Sequence, residues 1–489
     1  MELAAETDHS VYERARLSRD ARFDGRFFVA VKTTGIYCRP ICPANLPKSE
    51  NVSFFPSAAA ATEAGFRPCL RCRPECAPGT PAWAGTSTTV QRGLRLIAEG
   101  ALDDGNVERL ALRLGVTSRH LRRLFARHVG ASPLVVAHTQ RLHFAKRLID
   151  QTALPMKDIA TAAGFGSVRR FNDTFRQTYG KSPRELRRGR ESEQAPGVLS
   201  LSLPYREPYN WSGLLDFFEG RATPGVERVN DGCYERTICI DKRHGVIAVE
   251  DQGGSLALKV HGIATASLFA VVQRVREMFD IDAPIDDITG VLRGDADLRG
   301  WLRRAKGIRV PGAWDGWELT VRAVLGQQVS VKAATTFAGR IAERYGTAIN
   351  DDGLPDGEWR LFPTPQRLAR ARLESLGVIG SRAQTIRDLA RAVMRGDVSF
   401  EAGQPSDDFH RSLTAIRGIG DWTADYVAMR ALKNPDAFPA ADLGLLRAFD
   451  EKNGRRLRPA ELRERSLQWR PWRAYAALLI WSSDSGAGG

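Results

Sequence analysis

The spacing of apolar residues changes along the chain. Between residues 198 and 262 the segments TICID, HGVIAVE and SLALKVH alternate apolar and polar positions, which predicts strands. From residue 264, beginning with ATASLFAVVQRVREMF, apolar residues recur three and four positions apart, which predicts helices. Residues 76–88 and 189–197 are rich in Pro, Gly, Ser and polar residues, as linkers are. The pattern predicts a multidomain chain, mainly α with α+β parts, divided into residues 1–75, 89–188, 198–305 and 306–482.

An internal repeat lies between the two predicted linkers. Residues 110–133 align with residues 159–183 at an offset of 49–50 positions. Each copy predicts a short helix, a turn at Gly115 or Gly164, and a second helix. Ser118 and Ser167 lie where N-cap residues lie, near the start of each second helix. The repeat therefore predicts two helix-turn-helix units.

Composition excludes several classes of protein. Apolar residues make up 43% of the 489 positions, which excludes wholesale disorder. No run of about 18 apolar residues occurs, which argues against a membrane span. The N-terminal residues MELAAETDHS do not resemble a secretory signal, so we expect a cytoplasmic, nucleoid-associated protein. In that compartment seven cysteines indicate metal binding or chemistry rather than disulfides.

The positive charge is concentrated in the N-terminal part of the chain. Residues 1–190 hold 31 Lys and Arg against 17 Asp and Glu, whereas the remaining residues hold 40 of each. This asymmetry predicts a polyanion-binding front half. The excess of Arg over Lys suits phosphate contacts, although a GC-rich genome is the favoured explanation.

Four of the cysteines are spaced as metal ligands. Cys38 and Cys42 are separated by three residues, Cys69 and Cys72 by two, and 26 residues lie between the pairs. This spacing predicts one tetrahedral Zn(Cys)4 site. A disulfide pairing and a purely structural zinc are the alternatives, and Cys76 falls outside the set.

The residues around these thiols, VKTTGIYCRPICPA and NVSFFPSAAAATEAGFRPCLRC, resemble the N-terminal domain of the Ada family of bacterial adaptive-response proteins. The resemblance implies that Cys38 takes a methyl group irreversibly from a methylphosphotriester in DNA. Zinc would keep the thiol deprotonated, and methylation would remove one negative charge and strengthen DNA binding. Arg39, Arg67 and Arg71 flank the thiols and either hold the phosphate or are solvated.

The repeat resembles the AraC-type DNA-binding domain, which implies that the second helix of each unit enters the major groove of double-stranded DNA. The exposed positions of these two helices are the candidate DNA contacts: Arg119, His120, Arg122, Arg123, Ser167, Arg169, Arg170 and Asn172. For any one of them a phosphate contact is favoured over base readout.

A hairpin pattern occurs at residues 413–432, LTAIRGIGDWTADYVAMRAL. Gly418 and Gly420 predict a tight turn whose backbone N–H groups bind a DNA phosphate, with a monovalent cation as a further ligand when DNA is bound. This is the helix-hairpin-helix pattern, which by itself indicates DNA binding without sequence preference.

The hairpin is followed by FPAADLGLLRAF, and together they resemble the helix-hairpin-helix DNA glycosylases of the AlkA type. The resemblance implies that Asp442 stabilises the oxocarbenium-like sugar left by a departing base. It places Trp422, Tyr426 and Trp481 in a base pocket that favours cationic purines, and Gln328 as a polar wedge. Core packing is the alternative for these aromatics.

Two absences narrow the expected chemistry. Trp422 stands where bifunctional relatives carry a Schiff-base lysine, so we expect base excision without strand cleavage. No cysteine follows Cys239, which excludes the iron–sulfur cluster of other relatives. The Pro-Cys-His-Arg motif of the Ada methyltransferase that repairs alkylated guanine oxygen is also missing.

The sequence thus predicts a fusion that senses methylphosphotriesters, activates transcription and excises N-alkylated purines such as 3-methyladenine and 7-methylguanine. The expected partners are double-stranded DNA and RNA polymerase, with the chain a monomer away from membranes. A transcription regulator whose glycosylase half only binds DNA is one alternative. A zinc-stabilised regulator without methyl transfer is another.

Overall fold

The computed structural model describes residues 2–77, 88–103, 105–187, 198–351, 353–401, 404–449 and 457–484. The predicted linkers at 76–88 and 189–197 lie almost wholly outside these residues. The chain divides into two compact units, one formed mainly by residues 1–206 and one mainly by residues 207–489. No helix in the described part of the chain is long and apolar enough to cross a membrane.

The N-terminal part of the first unit is a four-stranded sheet against which the helix Glu2–Leu17 packs. Its order is β3-β1-β2-β4, with β1 antiparallel to both β2 and β3, and β4 parallel to β2. Phe27, Val29 and Val52 form a small core with aromatic neighbours, which fixes the register of β1 against β3. The strands are β1 (Phe28–Val31), β2 (Ile36–Cys38), β3 (Val52–Phe55) and β4 (Arg67–Pro68), and the helix Ala58–Glu63 precedes β4.

The repeat folds as two helix pairs joined by one long helix. Gly115 and Gly164 each have φ +71°, the left-handed conformation that glycine adopts without strain, so the chain turns there as predicted. Ser167 is an N-cap as expected. In the first copy of the repeat, however, the N-cap is Thr117, whose hydroxyl accepts from the His120 N–H at 3.2 Å. The helices are Thr88–Ala98, Val107–Arg113, Ser118–His128, Pro133–Gln151, Met156–Ala162, Val168–Tyr179 and Pro183–Leu186.

The alternating segments form a five-stranded sheet in the order β5-β9-β8-β7-β6. Antiparallel β7 lies between β6 and β8, and Tyr234 pairs with Val229 on one side and Val249 on the other. The strands are β5 (Val198–Pro204), β6 (Glu227–Asn230), β7 (Cys233–Ile240), β8 (Arg243–Asp251) and β9 (Ser255–His261), with the helix Trp211–Glu219 between β5 and β6.

The chain after this sheet is helical, as predicted, with one short addition. β10 (Thr347–Ile349) pairs antiparallel with β11 (Trp359–Leu361), and nothing in the hydrophobic pattern distinguishes these three-residue strands from loops. The helices are Leu268–Met278, Ile285–Leu292, Ala296–Arg304, Gly316–Leu325, Val331–Tyr345, Pro365–Leu368, Gly380–Arg395, Ser406–Thr414, Asp421–Arg430, Leu443–Arg447, Pro459–Arg465 and Arg473–Asp484.

Candidate functional site

The four spaced cysteines converge at one end of the front sheet. Cys38 ends β2 and Cys69 follows β4, so the parallel pairing of these strands brings the two sequence pairs together. The sulfurs of Cys38, Cys42, Cys69 and Cys72 all lie within 4.8 Å of one another. All four are free thiols, which overturns the disulfide alternative. Four converging thiolate donors fit the tetrahedral coordination of zinc.

The four sulfurs are not equivalent. Cys38 is half-buried, whereas the other three thiols are buried. The backbone N–H of Arg71 donates to Cys69 Sγ at 3.4 Å, and that of Arg39 donates to Cys72 Sγ at 3.3 Å. Because hydrogen bonding stabilises negative charge on sulfur, it lowers the nucleophilicity of these two thiolates. Exposure therefore singles out Cys38 as the sulfur that a large substrate can reach.

The three flanking arginines have different surroundings. The Arg39 guanidinium pairs with Asp24 and donates to the Cys72 carbonyl oxygen at 3.1 Å, so it braces the loop that carries the cysteines. Arg67 and Arg71 are exposed. Both line a cavity of about 510 Å³ that also includes Cys38. Arg67 and Arg71 are thus free to face a phosphate, whereas Arg39 is already engaged.

Zinc binding can be measured directly. We expect the purified chain to carry one zinc ion, and substitution Cys69→Ser to remove most of it. Chelation should unfold the front domain, because structural zinc contributes about 10–16 kcal/mol to the folding of small domains. Native mass spectrometry and circular dichroism measure both effects. Cys239→Ser, at an exposed cysteine outside the cluster, is the matched control and should keep its zinc. Full zinc content in Cys69→Ser would contradict the assignment.

The predicted DNA-contacting side chains lie on the second helix of each pair. Arg119 and Arg169 are exposed at corresponding positions, and Ser167 uses its hydroxyl to cap its helix by accepting from the Arg170 N–H at 3.2 Å. Arg122 pairs with Glu108 at 3.1 Å, an exposed pair that DNA can displace at little cost. The other candidates are exposed (Arg123, Arg170) or half-buried (His120, Asn172).

In the second unit, the two glycines form the tip of a helical hairpin. Gly418 has φ +93°, and a Cβ at this position would lie 2.2 Å from the Thr385 hydroxyl oxygen. Gly420 is exposed and caps the helix Asp421–Arg430. Only glycine fits at residue 418, and the N-terminal amides of the helix Asp421–Arg430 point to an anion site at the tip.

The carboxylate of Asp442 is fixed by three donors. Trp422 Nε1 and Trp481 Nε1 each donate to it at 2.8 Å, and the Leu445 N–H donates at 3.1 Å because Asp442 caps the helix Leu443–Arg447. Three N–H donors on different sides hold the carboxylate in one orientation. The site therefore holds a fixed negative charge beside an aromatic wall.

That wall consists of the three predicted pocket residues. Trp422 and Tyr426 stack with ring centroids 5.3 Å apart and an interplanar angle of 9°. Trp481 meets Tyr426 edge-on at 6.3 Å. All three side chains are half-buried, so they are not simply core residues and each leaves part of its ring open.

Gln328, the predicted wedge, lies in the turn after the helix Gly316–Leu325. It is exposed and has φ +55°, a conformation that few non-glycine residues adopt. Its neighbour Gln327 donates to the Gly418 carbonyl oxygen at 3.0 Å and to the Thr423 hydroxyl at 3.2 Å. The turn that presents Gln328 is thus tied to the hairpin tip.

Two residues that shape the site, Gln327 and Gly444, could not be recognised from the sequence. Gln327 was missed because its bonds reach residues more than 90 positions away. Gly444 was missed because a lone glycine after a helix start carries no signal. A Cβ at residue 444 would lie 3.1 Å from Asp442 Oδ1 and 3.4 Å from Trp481 Cδ1, so glycine makes room for their contact.

Family models match almost the whole chain in four consecutive parts. They are the metal binding domain of Ada at residues 12–75, a helix-turn-helix domain at 110–189, the AlkA N-terminal domain at 200–315 and the HhH-GPD superfamily of base excision DNA repair proteins at 321–473. Together with the thiolate cluster and the Asp442 pocket, these matches define a class of protein in which a DNA-binding regulator is joined to a base-excision repair fold.

Two curated relatives identify the family. A probable bifunctional transcriptional activator/DNA repair enzyme AlkA of Mycobacterium tuberculosis is 41% identical over 475 residues, which are 96% of this chain and 95% of the relative. The DNA-3-methyladenine glycosylase 2 of Escherichia coli is 32% identical over 289 residues, which are 58% of this chain and 97% of the relative. The chain belongs to the family of bifunctional transcriptional activators and DNA repair enzymes, and its domains are those of the alkylation response and base excision repair.

A solved structure supports the fold of the second half. The 3-methyladenine DNA-glycosylase from Archaeoglobus fulgidus superposes with a TM-score of 0.53 at 22% identity, covering 59% of this chain and 99% of the other. The predicted fold class and the predicted family resemblance are confirmed.

Proposed function

We propose that the second half of the chain hydrolyses the N-glycosidic bond of N-alkylated purines in DNA, with 3-methyladenine and 7-methylguanine as substrates. The carboxylate of Asp442, fixed between two indole N–H donors, is the observation that carries the proposal. As the bond between C1′ and the base nitrogen breaks, its electron pair goes to the base and positive charge develops on the sugar. Asp442 stabilises that charge, water adds to C1′, and the added water loses a proton.

The aromatic wall supports a preference for cationic bases. A purine alkylated on a ring nitrogen carries a positive charge, and aromatic faces attract cations. Trp422 and Tyr426 present parallel rings, and Trp481 closes the pocket at their edge. Gln328 fills the gap left in the duplex by the flipped nucleotide.

Base release without strand cleavage is the expected activity. Trp422 occupies the position of the Schiff-base lysine, and its indole donates to Asp442 instead. We expect the full chain to release 3-methyladenine from methylated DNA and to leave abasic sites intact until alkali is added. Chromatography of free bases and denaturing gels with and without alkali measure the two effects. Strand breaks before alkali treatment would contradict a purely hydrolytic mechanism.

For the first half, we propose that Cys38 accepts a methyl group from a DNA methylphosphotriester. The S–CH3 bond forms as the O–CH3 bond breaks, and the phosphate leaves as an ordinary anionic diester. A zinc ion held by the four cysteines would keep Cys38 as a thiolate at neutral pH. Arg67 and Arg71, exposed on the same cavity, would orient the phosphate, while Arg39 holds the loop through Asp24.

This transfer would act as a transcriptional switch. Methylation removes one negative charge from the cysteine cluster and reduces its repulsion from DNA phosphates, which strengthens binding. The two helix-turn-helix units then hold promoter DNA and the bound chain recruits RNA polymerase.

We further propose that the chain is a monomer with domains at residues 1–75, 89–188, 198–305 and 306–482. At the hairpin, a monovalent cation would lie between Gly418, Gly420 and a DNA phosphate.

A further inference from the structure

The residue before the proposed methyl acceptor is bonded to the helix-turn-helix domain. Tyr37 directly precedes Cys38 on β2, and its side chain is fully buried. The Tyr37 hydroxyl and His143 Nε2 share a hydrogen bond of 3.0 Å. His143 belongs to the helix Pro133–Gln151, the long helix that joins the two helix-turn-helix units. One end of the cysteine cluster is therefore held by a residue of the DNA-binding domain.

The other end of the cluster is held by the same helix. Glu75 lies three residues after Cys72 and is 3% exposed. Its carbonyl oxygen accepts from Arg147 Nη2 at 2.7 Å, and its carboxylate lies 3.5 Å from Lys146 Nζ. Lys146 also pairs with Asp150 at 2.5 Å. Because breaking a buried ion pair is strongly destabilising, this network fixes the loop after the cluster against the helix.

These contacts come from one face of the long helix. The residues that make them follow one another at three- and four-residue spacing: His143, Lys146, Arg147 and Asp150. Val136 of the same helix is buried in one cluster with Leu121 and Phe125, which belong to the second helix of the first pair, Ser118–His128. Both ends of the cysteine cluster are thus attached to a helix that also packs against a DNA-contacting helix.

The second helix of the other pair reaches the acceptor directly. The cavity of about 510 Å³ around the acceptor sulfur is also lined by Thr178 and Tyr179, the last two residues of the helix Val168–Tyr179. A Cβ at Gly180, which follows this helix, would lie 3.5 Å from Arg67 Nη1. A helix that carries candidate DNA contacts therefore forms part of the wall beside the methyl acceptor.

This arrangement matters because methyl transfer from DNA depends on geometry. The sulfur must attack the methyl carbon in line with the oxygen that leaves, and the electron pair of the O–CH3 bond departs with the phosphate. Holding two reactants in the right geometry accelerates such a step, and a displacement of about 1 Å can cost about 10²-fold in rate. A donor fixed in a duplex cannot adjust to a displaced sulfur, whereas a small donor in solution can.

We infer that His143 is a positioning residue for methyl transfer. Through Tyr37 it fixes Cys38 relative to the two DNA-contacting helices, so that these helices and the acceptor sulfur engage the same duplex in one register. The inference rests on the proposed methyl transfer to Cys38. It adds that the rate of transfer from DNA depends on the helix-turn-helix domain, although that domain supplies no ligand to the cysteine cluster.

The test follows methylation of Cys38 in the full chain from two donors, methylated duplex DNA and methyl iodide. Peptide mass spectrometry gives the rates, and zinc content and thermal unfolding check the fold. His143→Leu removes the bond to Tyr37, so we expect about tenfold slower uptake from DNA and unchanged uptake from methyl iodide. His143→Gln keeps an amide that can bond the Tyr37 hydroxyl and should recover most of the rate. His138→Leu, at an exposed histidine of the same helix, is the matched control.

A second variant tests the role of the DNA-contacting helices. Arg169 and Arg170 are exposed on the helix Val168–Tyr179, and replacing both by alanine weakens its hold on DNA without touching the cysteine cluster. This double variant should also take up methyl more slowly from DNA and at the wild-type rate from methyl iodide. Unchanged uptake from DNA would overturn the inference.

The remaining outcomes separate the inference from the proposed function. Equal slowing of His143→Leu with both donors, or unchanged uptake from DNA in a folded and zinc-loaded His143→Leu, would overturn the inference alone. Should His143→Leu lose its fold or its zinc, Tyr37→Phe decides, because it keeps the buried ring and removes only the hydroxyl. Slowing of Tyr37→Phe with DNA alone supports the inference, and any other result overturns it. A wild type that is methylated by methyl iodide but never by DNA would overturn the proposed methyl transfer itself.

Discussion

Substitution of Asp442 by asparagine should abolish most base release while leaving DNA binding in place. The carboxylate accepts from Trp422, Trp481 and the Leu445 N–H, and it supplies the charge that opposes the developing sugar cation. Asparagine removes that charge and sets an NH2 group against an indole donor. Removal of one fixed electrostatic group of this kind costs about 10²–10³-fold in rate.

The measurement is single-turnover release of 3-methyladenine from methylated DNA, with affinity for an abasic duplex measured in parallel. Asp407→Asn removes an exposed carboxylate from the neighbouring helix Ser406–Thr414 and serves as the control. Release by Asp442→Asn at the control rate would remove Asp442 from the mechanism. It would favour the alternative in which the second half only binds DNA.

Substitution of Cys38 by serine should abolish methyl uptake by the chain without slowing base release. A serine hydroxyl is not deprotonated at neutral pH, so the nucleophile is lost even where the fold survives. In the wild type, the peptide carrying Cys38 should gain about 14 Da after incubation with methylated DNA, the mass of one methyl group replacing a proton.

Peptide mass spectrometry checks this result, with zinc content and circular dichroism as measures of folding. Cys239→Ser, at an exposed cysteine on β7, should take up methyl like the wild type. Methylation that persists in Cys38→Ser, or that appears on Cys42 in the wild type, would place the acceptor elsewhere. Absence of methylation in both would leave a zinc-stabilised regulator.

Features set by local spacing could be predicted from the sequence. The two cysteine pairs define their own ligand geometry, and the repeat predicts its own turns because glycine is needed at positive φ at residues 115 and 164. The first N-cap was misplaced by one residue because Thr117 and Ser118 are adjacent hydroxyls that cap equally well.

Features set by long-range contacts could not be predicted from the sequence. The two indole donors to Asp442 come from positions 20 and 39 residues away, and no periodic pattern reports such a pairing. The pairing of Arg39 with Asp24 joins residues 15 positions apart, and no periodic pattern reports it either.

The central claim is that one chain both records alkylation and removes it. The most direct measurement incubates a single preparation of the full chain with DNA treated with a simple methylating agent. Free bases and the mass of the Cys38 peptide are then determined in the same sample. We expect catalytic release of 3-methyladenine together with one methyl group per chain at Cys38. Base release without methylation of Cys38, or methylation without base release, would contradict it.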